Sequence, residues 1–247
     1  MTENCLNDEK IAAQMRDLEE NLKEVRERIA EAAVRSGRKP EDITLLAATK
    51  TVSARVINRA IELGVDHIGE NRVQELMDKY DALNLSGCSC QFIGHLQTNK
   101  VRYLIGKVDL IQSVDSLKLA SEISSQSLKK GACTDLLIEV NIGGEESKSG
   151  VEPSMLGELY DQIAALPAVS VRGLMCIPPI CDSQAEIMRY FSKMREYFVD
   201  ITTKKSDNKR NDMILSMGMS ADYYEAILCG ATMVRVGSKL FGKREYR

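Results

Sequence analysis

The chain has no tryptophan, and only four phenylalanines and eight tyrosines in 247 residues. So few aromatic faces argue against a platform that stacks single-stranded nucleic-acid bases. It also lacks an excess of charge of one sign: 33 Lys and Arg stand against 36 Asp and Glu, a formal net charge of -3. A strongly basic nucleic-acid surface is therefore not expected. No apolar run approaches the roughly 20 residues of a membrane-spanning helix, so no membrane partner is expected. Residues 1–10 carry neither a basic start nor an apolar stretch, and their acidity argues against a transit peptide. The seven cysteines are odd in number and irregular in spacing. They do not read as a disulfide framework, and a reducing cytoplasm is the expected compartment. Cys88 and Cys90 lie two apart, with no second pair to complete a zinc site, so no metal is assigned. The two histidines, His67 and His95, assemble no Ser-His-Asp constellation, and no catalytic residue is assigned.

What is present is enough apolar sequence, 44%, to build a sizeable core. Residues 8–36 read as a long amphipathic helix. Ile11, Met15, Leu18, Leu22, Val25, Ile29 and Ala32 alternate steps of four and three and form one stripe. The stripe suits packing on the body of the domain, or, by its heptad-like spacing, a coiled-coil dimer. After Gly37 short apolar runs alternate with helical periods. The runs are Ile43–Lys50, His67–Glu70, Gln91–His95, Leu110–Val114, Asp135–Asn141, Val169–Ile177, Met213–Met217 and Met233–Gly237. Helices are expected between them. The expected spans are Ser53–Gly64 with Ser53 as N-cap, Arg72–Leu83, Asn99–Ile105, Leu117–Lys130, Met155–Leu166, about Gln184–Thr203, and Ala221–Leu228. Lys204–Asn211 is polar and reads as a solvated loop. Repeated βα units imply a parallel sheet. Eight of them in a chain near the roughly 250 residues of a TIM barrel favour one closed (β/α)8 domain over residues 1–247, with the barrel at 40–242.

In such a barrel the site lies at the C-terminal ends of the strands. Lys50 ends the first run and shares parity with Leu46 and Ala48, the expected interior face. A lysine at an apolar mouth is held toward its neutral form, which can form an imine with an aldehyde. Ser216 ends the seventh run, and Ser220 or Asp222 can cap the helix after it. Arg235, Gly237 and Ser238 end the eighth. Loops after strands seven and eight form the usual phosphate site of this fold, with backbone amides as donors. Together these residues describe a phosphorylated aldehyde. Pyridoxal 5'-phosphate (PLP) and the sugar-phosphate substrate of a Schiff-base aldolase both meet that description.

Six segments carry a resemblance: Ala47–Lys50, Ile68–Asn71, Phe92–Lys100, Gly173–Met175, Leu215–Ser220 and Val234–Gly237. In this order, over about residues 40–242, the chain resembles the YggS/PROSC family of PLP-binding homeostasis proteins. The resemblance implies the barrel of the alanine racemases and PLP held as an imine at Lys50. It further implies a phosphate near Ser216, Gly237 and Ser238, and Arg235 facing the pyridine nitrogen. Asn71, Met175 and Met217, within the matched segments, join the implied cofactor-binding set. Ser238 stands where many relatives have threonine, and the hydroxyl is kept. The implied role is a cytoplasmic protein, expected as a monomer, that buffers or delivers PLP in vitamin B6 and amino-acid balance. Apo-PLP enzymes are the implied recipients. A racemase-like enzyme is the alternative, but it needs a second proton-transfer group, and none of Tyr223, Tyr224 and Tyr246 sits in a context that assigns it that role. The aldolase is the other alternative.

Overall fold

Eight parallel strands close on themselves in sequence order, β1 to β8, in this computed structural model. It describes residues 3–145, 148–203 and 213–242, with side chains from residue 11 onward. The strands are β1 (Thr44–Ala48), β2 (His67–Glu70), β3 (Ser89–Phe92), β4 (Leu110–Val114), β5 (Thr134–Val140), β6 (Val169–Cys176), β7 (Ile214–Met219) and β8 (Met233–Val236). The helices are α1 (Glu3–Arg35), α2 (Ala54–Glu62), α3 (Val73–Lys79), α4 (Val101–Leu104), α5 (Leu117–Lys129), α6 (Leu156–Ala164), α7 (Gln184–Thr203), α8 (Tyr223–Leu228) and α9 (Ser238–Phe241). No helix among the described residues is long and apolar enough to cross a membrane. The expected loop Lys204–Asn211 lies outside the described residues, as does Tyr246.

Strand alternation divides the molecule into a thick outer shell and a narrow inner column. Ile68, Phe92, Ile111, Ile138, Leu174, Leu215 and Val234 are fully buried and point outward, under the helices. The opposite parity fills the barrel. Leu110, Leu137 and Met175 form its apolar plug, with Ile214 packed against them. The column is tight at β2, where a Cβ on Gly69 would come within 2.4 Å of the Leu46 side chain.

Among the described residues β8 is followed by the four-residue α9, which leaves much of β8 and β1 to be covered by another element. α1 supplies it. Leu18, Leu22, Val25, Ile29 and Ala32 are buried, and the helix packs chiefly on α8, α9 and α2. At about 1.5–3 kcal/mol for each fully buried large aliphatic side chain, this seam holds α1 firmly. The coiled-coil alternative is thereby corrected, because the stripe is consumed within the chain. Polar residues of α1 also satisfy helix ends that would otherwise be short of donors. Gln14 Nε2 donates to Phe241 O at 2.9 Å and Asn21 Nδ2 to Leu240 O at 3.0 Å.

Four local bounds are corrected, and one cap is in place without its bond. β3 ends at Phe92 and not at His95, because the chain turns at Gly94. The expected helices at 72–83 and 99–105 are each part 3-10 turn, leaving α3 and α4 short. β7 runs two residues further than expected, to Met219. Ser53 occupies the N-cap of α2, but its hydroxyl makes no capping bond and is buried without a partner.

Candidate functional site

A cavity of about 660 Å³ opens at the C-terminal ends of the strands. Its wall brings together Lys50, Asn71, Glu139, Arg235, Gly237 and Ser238 from β1, β2, β5 and β8 or the loops beyond them. Lys50 stands two residues past the end of β1 and continues the inward parity of Leu46 and Ala48.

Arg235 is the most constrained charge in the site, 4% exposed. Its Nη1 donates to Ser216 Oγ at 2.6 Å and its Nη2 to the Cys176 carbonyl at 2.8 Å. Ser216 Oγ donates onward to Gln112 Oε1 at 2.7 Å, and Gln112 Nε2 donates to Gln91 Oε1 at 2.6 Å. A neutral relay thus crosses the barrel beneath the cavity and fixes the guanidinium plane. Burial pushes the Arg235 pKa down from its ordinary value, and the nearby Cys176, Glu139 and Asp222 oppose that shift.

Glu139 shares the wall, 6% exposed. Among the described residues its carboxyl group makes no hydrogen bond or ion pair within reach. Burial, with Asp115 nearby, pushes its pKa up to about 7, and Arg235 pulls the other way. Glu70, at the end of β2, faces outward and pairs with Lys79 Nζ at 2.7 Å.

Asn71 lies beyond β2. A Cβ on Gly94 would sit 2.1 Å from the Asn71 carbonyl oxygen, so only glycine allows the two loops this approach. The Asn71 side-chain oxygen is buried with no hydrogen-bond partner. A buried orphan on a cavity wall is suited to a polar ligand group. On the far rim Ser220 Oγ accepts from the Gly237 amide at 3.0 Å and the Lys239 amide at 3.4 Å, tying the loop after β7 to the loop after β8. The loop after β5 contributes Lys148 and Ser149. His95 lines the cavity from its position beyond β3, and its Nδ1 meets Ser149 Oγ at 3.2 Å.

Three expected cofactor contacts do not line the cavity. Ser216 is fully buried in mid-strand behind Arg235, so its place is in the relay and not in a phosphate loop. Met217 has the opposite parity and packs outward into the helix shell. Met175 is inward but one layer too deep, in the apolar plug. Glu139, Lys148 and Ser149 line the cavity but were not singled out from the sequence, and Ser220 was singled out only as a helix cap. Of these, Glu139 had a visible signal, a carboxylate in the middle of an otherwise apolar stretch, Leu136–Val140. Tyr223 and Tyr224 are buried against α1, and Tyr224 Oη donates to Glu31 at 2.7 Å, so neither serves the cavity as a proton donor. Burial raises the Cys88 and Cys90 thiols to about 11 and about 12. Among the described residues no cluster of potential metal ligands occurs.

Comparison with known proteins matches this geometry to a class. The family model described as "Alanine racemase, N-terminal domain" covers residues 14–245, so the chain is a barrel of that class. The alanine racemase of Clostridium difficile 630 in complex with cycloserine shares the fold, with a TM-score of 0.69 at 16% identity. That likeness covers 83% of this chain and 56% of the racemase. Sequence is more specific. The pyridoxal phosphate homeostasis protein of Aquifex aeolicus is 47% identical over 92% of this chain and 98% of its own length. The structure of PipY from Synechococcus elongatus PCC7942 with PLP bound matches at 34% identity and a TM-score of 0.75, over 87% of this chain and all of PipY. The chain belongs to the pyridoxal phosphate homeostasis protein family.

Proposed function

We propose that this chain binds PLP in the barrel-mouth cavity as an imine at Lys50. In this reading it carries or buffers the cofactor in vitamin B6 and amino-acid homeostasis, without catalytic turnover. The supporting observation is the single cavity that joins Lys50, the buried Arg235 and the Gly237–Ser238 segment. The orphaned Asn71 oxygen in the same wall suits a ligand with a polar ring substituent. The bound group supplies an aldehyde for reversible attachment to an amine and a pyridine ring able to accept electrons.

The chain's own residues limit the chemistry open to that group. Arg235 gives up its proton reluctantly, and beside a pyridine nitrogen it leaves that nitrogen unprotonated and the ring a weak electron sink. The relay through Ser216 and Gln112 keeps it so oriented. Gly237 and Ser238, tied to Ser220, would hold the phosphate, and Asn71 would lie toward the ring. The two tyrosines nearest the site in sequence are packed under α1. Proton transfer to a substrate needs a group within hydrogen-bond reach, and these do not provide it. That favours the carrier over the racemase alternative. The protein acts as a single domain and a monomer in the cytoplasm, with apo-PLP enzymes as recipients.

The test incubates the PLP-loaded protein with L- and D-amino acids, following enantiomer content and keto-acid formation, beside a transfer assay to an apo-PLP enzyme. The expected result is transfer, with turnover far below about 1 per second. Sustained racemisation or transamination that vanishes in Lys50→Ala restores the enzyme reading.

A further inference from the structure

Lys50 occupies a strained stretch of backbone. The Val52 amide donates to the Thr49 carbonyl at 3.0 Å, closing a four-residue turn with Lys50 and Thr51 at its centre. Thr51 has a φ of 63°. A β-branched residue in the left-handed region is sterically disfavoured, and glycine is the usual occupant of such a place. Strain of this kind persists only where the surroundings over-determine the conformation.

The surroundings are three ionisable side chains from β2 and α3. Lys79 on α3 is only 11% exposed. Its ammonium donates to both ends of the turn, to Thr49 O at 3.1 Å and Val52 O at 3.2 Å. It also meets Glu75 Oε1 at 2.9 Å and Glu70 Oε1 at 2.7 Å. Glu75 Oε1 accepts the Thr51 amide, and the fully buried Glu70 accepts the Thr49 hydroxyl. One ion cluster therefore grips the Thr49 hydroxyl and carbonyl, the Thr51 amide and the Val52 carbonyl. Taking an ammonium out of water is costly. Anchoring α3 to the sheet would not require that ammonium to bind two carbonyls of one strained turn.

On the reading that Lys50 is the attachment point, we infer that Lys79 is its positioning residue. With Glu70 and Glu75 it locks the 49–52 turn so that the Lys50 amine enters the cavity in a reactive orientation. The step it serves is simple condensation. The amine nitrogen bonds to the aldehyde carbon, and the aldehyde oxygen leaves as water with the two amine protons.

The experiment separates attachment from binding. Lys79→Met keeps the aliphatic stem and removes the ammonium, and Thr51→Gly removes the strain. Imine yield with PLP is read by visible absorbance and by borohydride trapping mapped to Lys50. Non-covalent affinity is read with pyridoxine 5'-phosphate, an alcohol that cannot form the imine. Lys79→Met is expected to lower the imine yield at sub-saturating PLP about tenfold, with pyridoxine phosphate affinity within about twofold of wild type. Adding Thr51→Gly is expected to recover part of the loss. An unchanged imine yield, or a parallel loss of both bindings with no recovery, overturns the assignment. If Lys79→Met does not fold, Glu75→Gln makes the same comparison through the Thr51 contact. Amide hydrogen exchange at Thr51 and Val52 needs no ligand and is expected to quicken about tenfold in the variant. Unchanged exchange defeats the brace whether or not PLP binds. A wild-type protein that forms no imine defeats the PLP reading alone.

Discussion

The two cationic walls of the cavity are built by different means. On the β8 wall, Arg235 is held by its own side chain, through neutral partners inside the barrel: Ser216, Gln112, Gln91 and the Cys176 carbonyl. On the β1 wall the grip falls on the backbone around Lys50, and it comes from the charged residues Glu70, Glu75 and Lys79. A neutral relay carries little desolvation penalty and fixes the direction of a group that needs only to point. Securing the backbone fixes the point from which Lys50 reaches the cavity wall. The difference is between a wall fixed at a side chain and a wall fixed at the backbone.

The largest expected effect lies on the β1 wall. Lys50→Ala is expected to abolish the imine band with PLP while circular dichroism and melting stay near wild type, since the change removes one side chain outside the strand core. A full band in that variant, on some other lysine, would erase the distinction between the walls. Next comes the relay. Ser216→Ala leaves Arg235 Nη1 and Gln112 Oε1 each short of a buried partner, and a loss of about 2–4 kcal/mol is expected in denaturant titration. A loss below about 0.5 kcal/mol would mean that water or a rotated glutamine substitutes freely, and that the β8 wall is no more rigid than the β1 wall.

The smallest effect concerns Glu139, between the walls. Its pKa is about 7 in the folded protein against an ordinary 4.5. Between those values the native state holds a proton that the unfolded chain has lost, so the contribution of this residue to stability falls as pH rises through that window. Glu139→Gln keeps the neutral shape. It is expected to stabilise by about 2 kcal/mol at pH 8 and to be near neutral at pH 4. A stability difference that does not change with pH would show that Glu139 titrates in the fold as it does in the unfolded chain, and an opposite trend would show it held charged by Arg235.

Much of this was legible in the sequence. The eight runs and the α1 stripe follow from periodicity, a local property. Lys50, Asn71, Arg235, Gly237 and Ser238 were expected near one rim because strand ends in a βα repeat fall there, and all five line the cavity. Met217 was misplaced although parity was available: it neighbours the inward Ser216 and so points to the helices. Ser216 and Met175 were misplaced for a different reason. Both have inward parity, but their depth in the barrel depends on how far each strand is staggered against the next. β7 runs on to Met219 past a register shift against β8 between Ser216 and Met219. No residue pattern within one strand encodes that stagger.

The sequence by itself determined the repeat, the inward and outward faces and the chemical types at the rim, because each depends on neighbours within a few residues. Only closure of the barrel decided which inward groups reach the cavity and which lie beneath it. Closure sets the shear between strands, and shear sets height along the axis. The same closure made Ser216 a support for Arg235 and brought Lys79, 29 positions beyond Lys50 in the chain, to the turn that carries it. Contacts across such separations form only when the sheet is complete, so their energies are properties of the tertiary structure and not of any segment.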